Sequence, residues 1–281
     1  MSAQNASASA ENPEIARSIM AGPIATNYHD QGSGPPVLLI HGSGPGVSAW
    51  ANWRLNIGPL SEHFRVIAPD MAGFGFTDRL PDARYGKAFW VQHLRDFMDA
   101  LGIQQADIVG NSFGGGLALA FAIAYPARVR RMVLMGSVGI RFPITPGLDA
   151  VWGYEPSIAA MRKLLDIFAH DRRIVSDELA ELRYKASIRP GFQESFSAMF
   201  PAPRQQGVDG LACDEAAIAA LQQPSLIIHG REDQVIPPEN AERLFRLIPD
   251  AELHMFGQCG HWTQIEKTES FNKLVGDFLR K

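Results

Sequence analysis

A chain of 281 residues with a formal net charge of −4 and 46% hydrophobic residues is long enough to bury the core of one large α/β domain. The absence of any Lys/Arg-rich run argues against nucleic acid or an anionic membrane surface as a partner. Two cysteines, Cys213 and Cys259, are too few and too far apart for a disulfide framework or a metal cluster, which fits a reducing cytoplasm. No apolar stretch reaches the roughly 18 to 20 residues that span a bilayer, and residues 1–12 lack the basic start and apolar core of a signal peptide. A soluble protein with a disordered Ala/Ser-rich tail is expected.

In chain order, residues 24–29 alternate and lead through Gly32-Ser33-Gly34-Pro35-Pro36 into the continuous apolar run 37–40, the pattern of an edge hairpin feeding a buried strand. His41-Gly42-Ser43-Gly44-Pro45-Gly46 follows, either an ordinary turn or a loop whose glycines leave backbone amides free to meet a ligand. Residues 65–68 read as a strand, and 87–101, with Phe89, Trp90, Leu94, Phe97, Met98 and Leu101, as a helix. Strand 106–110, helix 117–124 and strand 131–135 complete a β-α-β-α-β rhythm that implies a mostly parallel sheet with helices on both faces. Between 139 and 210 no buried-strand run occurs; helical segments 159–169 and 177–187 alternate with Pro-containing joints, the expectation for an inserted helical cap. The core is thus divided into 1–138 and 211–281, the second part carrying strand 225–229, helix 238–247, strand 251–256 and helix 268–279.

The chemistry centres on Gly110-Asn111-Ser112-Phe113-Gly114, where an apolar strand meets an apolar helix at one serine. G-x-S-x-G at a strand-to-helix junction is the spacing of a nucleophile elbow: the small flanking residues allow close packing, and the helix N-terminus offers amides to an oxyanion. An elbow serine needs a base and an orienting acid, which follow in the order Ser, Asp or Glu, His. Asp233 lies in the loop after strand 225–229, with Glu232 as the competing acid. His261 lies in the loop before the last helix, and of eight histidines it alone occupies the place this order requires.

These segments make the chain similar to the α/β-hydrolase fold and, within it, to the meta-cleavage product hydrolases, serine-type enzymes that cut a carbon-carbon bond in ring-fission products of catechols. The resemblance runs from Pro23 onward and is carried by HGSGPGVSAWANWR (41–54), GNSFGGG (110–116), FPITPGLDAVWGYEPS (142–157), ASIRPGF (186–192), MFPAPRQ (199–205), HGREDQVIP (229–237) and FGQCGHWTQIE (256–266). It implies Ser112, Asp233 and His261 as the triad, an oxyanion hole from the amides of Ser43 and Phe113 with Gly44 adjoining, and a polar subsite of Asn52, Asn111, Arg189 and Trp262. It also implies that Val138, Val208 and Ile236 line a narrow slot for the C6 substituent. The implied substrate is 2-hydroxy-6-oxohexa-2,4-dienoate or a small 6-alkyl analogue, with no metal or cofactor, in a cytoplasmic homo-oligomer, a dimer by resemblance. A carboxylesterase with the same triad, or a non-catalytic receptor on the same fold, is the competing expectation. Dehalogenase and epoxide-hydrolase chemistry would require Asp at the elbow.

Overall fold

The apolar runs of the sequence become strands of one sheet, and the runs with helical spacing become the layers that cover it. In the computed structural model, which describes residues 12–281, the first elements are β1 (Arg17–Ala21), β2 (Ile24–Gln31), β3 (Pro36–Ile40), α1 (Ala49–Trp53), α2 (Ile57–Ser61), β4 (Arg65–Pro69) and α3 (Lys87–Ala100). The strand-turn-helix β5 (Ala106–Asn111) and α4 (Phe113–Ala124) is followed by β6 (Val129–Met135). Helices α5 (Pro146–Trp152), α6 (Ile158–Phe168), α7 (Asp177–Ser187), α8 (Phe192–Met199), α9 (Gln205–Leu211) and α10 (Glu215–Ala219) then intervene before the sheet resumes. It ends with β7 (Ser225–Gly230), α11 (Glu239–Leu247), β8 (Ala251–Phe256), α12 (Thr263–Glu266) and α13 (Thr268–Leu279).

The sheet order is β1-β2-β4-β3-β5-β6-β7-β8, parallel from β4 to β8 and antiparallel where β2 meets β1 and β4. Along β3 the side chains divide by parity: Leu38 and Ile40 enter one apolar cluster with α3 and α4, while Val37 and Leu39 enter another with Trp53, Phe271 and Phe278. Burial on both faces explains why the central strands read as continuous apolar runs. Each fully buried side chain of this size contributes about 1.5 to 3 kcal/mol.

Two expectations are corrected. The first hairpin is β1–β2, turning at Gly22, and not a pairing of 24–29 with 37–40; β2 lies between β1 and β4, and β3 lies beyond β4. β1 escaped the sequence reading because it is an edge strand whose side chains are mostly exposed, so it has no apolar run. Helix α4 begins at Phe113, four residues before 117, since three consecutive glycines mask the helical pattern and are tolerated only because the junction must be narrow. The tail expected to be disordered lies, up to residue 11, outside the described residues.

Candidate active site

The elbow is built as its spacing demands. Ser112 sits between β5 and α4 with φ 53° and ψ −111°, a conformation costly for a residue with a side chain. It is held there by its amide, which donates to Met135 O at 2.7 Å, and by its carbonyl, which accepts from Gly115, Gly116 and Val138. A Cβ on Gly114 would stand 2.2 Å from Ile40 O, so only glycine permits helix and strand to approach this closely.

His261 and Asp233 come together from loops 28 residues apart: His261 Nδ1 donates to Asp233 Oδ2 at 2.7 Å. Asp233 Oδ1 accepts from the amides of Val235 and Ile236 at 2.7 and 3.0 Å. His229 Nε2 also donates towards Oδ2, at 3.2 Å, while sharing its proton with Ile236 O at 3.0 Å. Burial alone would push the Asp233 carboxyl up, but the two imidazoles and the hydrogen bonds outweigh it and hold the group well below the usual carboxylate range. Gly136, at φ +50°, lies against this pair; a Cβ there would meet His261 Nδ1 at 3.2 Å and Asp233 Oδ2 at 3.4 Å. Glu232, the competing acid, faces away: it accepts from Cys259 N and pairs with exposed Arg231.

Ser112 and His261 line one cavity of about 320 Å³ that α5, α6 and α7 also border. Their side chains make no hydrogen bond to each other among the described residues, a looseness common in unliganded triads, and the Ser112 hydroxyl opens on the cavity. The amides of Ser43, Gly44 and Phe113 have no protein acceptor among the described residues, which leaves them available to an oxyanion. The loop that carries Ser43 and Gly44 is pinned by His41, whose Nδ1–H donates to Gly42 O at 2.7 Å and whose Nε2 accepts from Met71 N at 2.9 Å. Trp152 of α5 donates from Nε1 to Ser43 Oγ at 2.9 Å and so ties α5 to the same loop.

Asn52, Asn111 and Trp262 line the cavity as expected. Asn52 Oδ1 accepts from Gly42 N at 3.2 Å, and the Nδ2 atoms of Asn52 and Asn111 are buried without a partner among the described residues. Two unpaired buried amide donors beside a nucleophile are costly unless a ligand satisfies them. Phe168, the last residue of α6, stacks on Trp262 at 5.0 Å and on His261 at 6.0 Å between ring centroids. Its carbonyl accepts from His261 N at 2.8 Å.

Four residues are placed differently from the expectation. Arg189 does not line the cavity, because Glu14 takes its Nη2 at 3.0 Å and Phe76 lies under its guanidinium; Arg183 of α7 lines the cavity instead. Burial lowers Arg183 to about 10, which leaves it a cation at neutral pH. Val138, Val208 and Ile236 are buried in the core and do not line the cavity. Val138 packs on Gly116, and Ile236 serves through its backbone amide and carbonyl. The apolar wall is supplied by Leu148 and Val151 of α5, Met161 and Leu165 of α6, and Val235. Arg183, Trp152, Phe168 and His229 were missed; Arg183, Phe168 and His229 lie in segments read as helix or strand and Trp152 in a helix that was not, and only packing decides which face of an element meets a cavity.

Residues 35–268 match the alpha/beta hydrolase fold family. The chain is 65% identical over 268 residues to a 2-hydroxymuconate semialdehyde hydrolase of Pseudomonas sp. (strain CF600), covering 95% of each chain. It is 61% identical to a 2-hydroxy-6-oxo-2,4-heptadienoate hydrolase of Pseudomonas putida, covering 95% of this chain and 97% of that one. The chain belongs to the meta-cleavage product hydrolases. A solved structure of such a hydrolase from Pseudomonas fluorescens IP01 superposes with a TM-score of 0.95 at 62% identity, covering 96% of this chain and 99% of that one. For a meta-cleavage product hydrolase, a serine elbow, a His–Asp pair and unpaired amide donors within one cavity form a coherent set.

Proposed function

We propose that the protein hydrolyses the C5–C6 bond of 2-hydroxy-6-oxohexa-2,4-dienoate or its small 6-alkyl analogues, giving 2-hydroxypenta-2,4-dienoate and a small carboxylic acid. The observation that carries this reading is the cavity in which Ser112 and His261 stand beside unpartnered Asn52 and Asn111 donors and the guanidinium of Arg183. An ester needs only the triad and the oxyanion hole. A dienoate also needs partners for its carboxylate and for the oxygen at C2, and these side chains supply them.

The dienol is first ketonised by protonation at C5, with Asn52, Asn111 and the cationic wall stabilising the charge near C2. Attack at the C6 carbonyl follows, by Ser112 or by a water that His261 activates. The amides of Ser43 and Phe113 stabilise the resulting oxyanion, by about 3 kcal/mol for each donor. Collapse breaks the C5–C6 bond and leaves the electron pair on the dienolate; on the serine route it leaves an acyl-enzyme, whose ester water activated by His261 then hydrolyses, while Asp233 holds the His261 ring in the tautomer that can accept and return the proton. Residues 139–210 are read as the cap that closes over this chemistry, with the core on either side.

Loss of the yellow dienolate absorbance, with formate appearing from the semialdehyde, tests the assignment. Ester turnover much faster than dienoate turnover would refute it. For size, we assign the C6 slot to Leu148, Val151 and Val235, which line the cavity where Val138, Val208 and Ile236 do not, and these branched side chains favour hydrogen or methyl at C6 over phenyl. Comparable or better kcat/KM for the phenyl compound would overturn that preference.

Among the described residues no helix is long and apolar enough to cross a membrane, and both cysteines are free. We read the protein as cytoplasmic. The outer edge of β8, where Leu253, Met255 and Phe256 are part-exposed, supports a homo-oligomer, a dimer by resemblance, which solution mass measurement checks.

A further inference from the structure

The cavity has an inner and an outer end. Ser112, His261 and Val151 at the inner end are buried, whereas Arg54 and Leu55, just past the last turn of α1, are exposed, and Leu179 in the first turn of α7 is half-buried. The way in from solvent therefore passes between the end of α1 and the start of α7. Arg54 stands on that rim. It is the C-cap of α1, and its Nη1 donates to Ala51 O at 2.9 Å, which folds the guanidinium back over a residue that itself lines the cavity.

Charge along this route has one sign. Among the described residues that line the cavity there is no aspartate or glutamate, while Arg54 and Arg183 both border it, although the chain as a whole carries a net charge of −4. The acids around the rim are engaged by other partners. Asp177 of α7 pairs with Arg162, and Glu178 feels the charge of the same guanidinium. Glu14, on the N-terminal arm ahead of β1, accepts from Ser48 Oγ at 2.6 Å and from Arg189 Nη2 at 3.0 Å. Glu266 accepts from the amides of Gly260, His170 and Asp171. Arg54 makes no ion pair among the described residues, and its charge reaches as far as Arg183. A cleft lined by one sign of charge focuses its field outward and raises the local concentration of the opposite ion.

We propose that Arg54 is the capture residue of the site: an exposed guanidinium at the mouth that draws the anionic dienoate in and so sets its rate of entry. This rests on the dienoate reading of the site. Arg54 acts through its field at the rim, which the approaching and the bound anion both feel, and it leaves the grip on the bound substrate to residues deeper in the cavity. A capture residue alters association and its salt dependence, whereas a gripping residue alters dissociation. A residue that only closes the end of α1 would affect every substrate alike.

The test follows dienoate binding by stopped-flow absorbance in the full chain with Ser112→Ala, adding Arg54→Gln, Arg54→Glu or Arg54→Lys. Ionic strengths of about 0.01 M and about 0.5 M give weak and strong screening. At low salt Arg54→Gln should lower the association rate constant about threefold and Arg54→Glu about tenfold, both effects shrinking below about 1.5-fold at high salt, with dissociation changed less than about twofold. Arg54→Lys keeps the charge and should keep the association rate. With Ser112 in place, Arg54→Gln should lower hydrolysis of anionic mono-4-nitrophenyl succinate about threefold more than that of neutral 4-nitrophenyl acetate. Unchanged association, a loss that salt does not diminish, a change confined to dissociation, or equal losses on the two esters would each overturn the proposal. If the protein neither binds nor cleaves the dienoate, the assigned reaction falls, and the pair of esters still decides the role of Arg54.

Discussion

At the scale of single residues, the proposed reaction rests on a serine held at φ 53° and a histidine whose ring is fixed by Asp233. Ser112→Ala and His261→Ala should each lower dienoate hydrolysis by about 10³-fold or more, with an unchanged circular dichroism spectrum, because both side chains face a cavity and not the core. Activity within about tenfold of wild type would contradict the assignment. Asp233 accepts two imidazole N–H groups and two amides, so Asp233→Asn should cost both rate and stability. His229→Gln separates the two effects: it keeps His261 paired with Asp233, so its loss should fall mainly on thermal stability. A loss in kcat as large as that of Asp233→Asn would place His229 in the proton relay.

Between elements, α4 lies tight against β3. The Cβ that Gly114→Ala adds would stand 2.2 Å from a backbone carbonyl, which no side-chain motion can relieve, and we expect it to cost about 3 kcal/mol or more in denaturant unfolding. A midpoint equal to that of wild type would show that the junction can widen. The segment after α6 is coupled to the histidine loop through Glu266: its Oε1 accepts from Gly260 N at 2.8 Å, and its Oε2 accepts from His170 N and Asp171 N at 2.9 and 2.8 Å. Glu266→Ala releases these three amides and should lower kcat for the dienoate more than it lowers hydrolysis of a small ester, which needs less of the wall that α5 and α6 supply. Equal losses on both would show that Glu266 only maintains the loop. The helix 177–187 was legible from its sequence, but that Arg183 and not Arg189 would line the cavity was not, since that choice depends on Glu14 reaching across from the arm.

At the scale of the whole molecule, buried neutral histidines set the acid limit. Burial pushes His41 and His93 down to about 4; His93 donates from Nε2 to Thr26 Oγ at 2.8 Å and accepts at Nδ1 from Ala72 N at 3.3 Å. In the unfolded chain each ring protonates near its ordinary value of about 6.5. Their stabilisation is therefore complete above that pH and is lost as pH falls towards about 4, where the folded rings protonate too. Asp70, pushed up to about 6 by burial, works in the opposite sense and regains stability as pH falls from about 6 to its ordinary range. From these three groups alone, unfolding near pH 5 should take up about one net proton, two to the imidazoles less one from Asp70, and their share of the stability lost down to pH 4 should be roughly 3 kcal/mol. His93→Gln should bring that slope close to zero, as read from unfolding midpoints at pH 7, 6, 5 and 4. A wild-type stability that stays flat over this range would contradict the assignment.

Much of the protein was legible before any fold was known, because the signals are local. Continuous apolar runs reveal strands buried on both faces, and G-x-S-x-G at a strand-helix junction reveals the elbow, since close backbone packing leaves no room for other residues there. The chain order of Ser112, Asp233 and His261 follows from strand ends that share one edge of the sheet. What the tertiary structure alone decided involves contacts between distant segments: β1 as the outer strand, His229 as a second partner of Asp233, and α5, α6 and Val235 as the apolar wall of the cavity. The withdrawal of Arg189 by Glu14 is of the same kind, since the two are 175 residues apart. A guanidinium on a flexible stem goes to whichever carboxylate the fold brings within reach, and neither periodicity nor spacing along the chain carries that information.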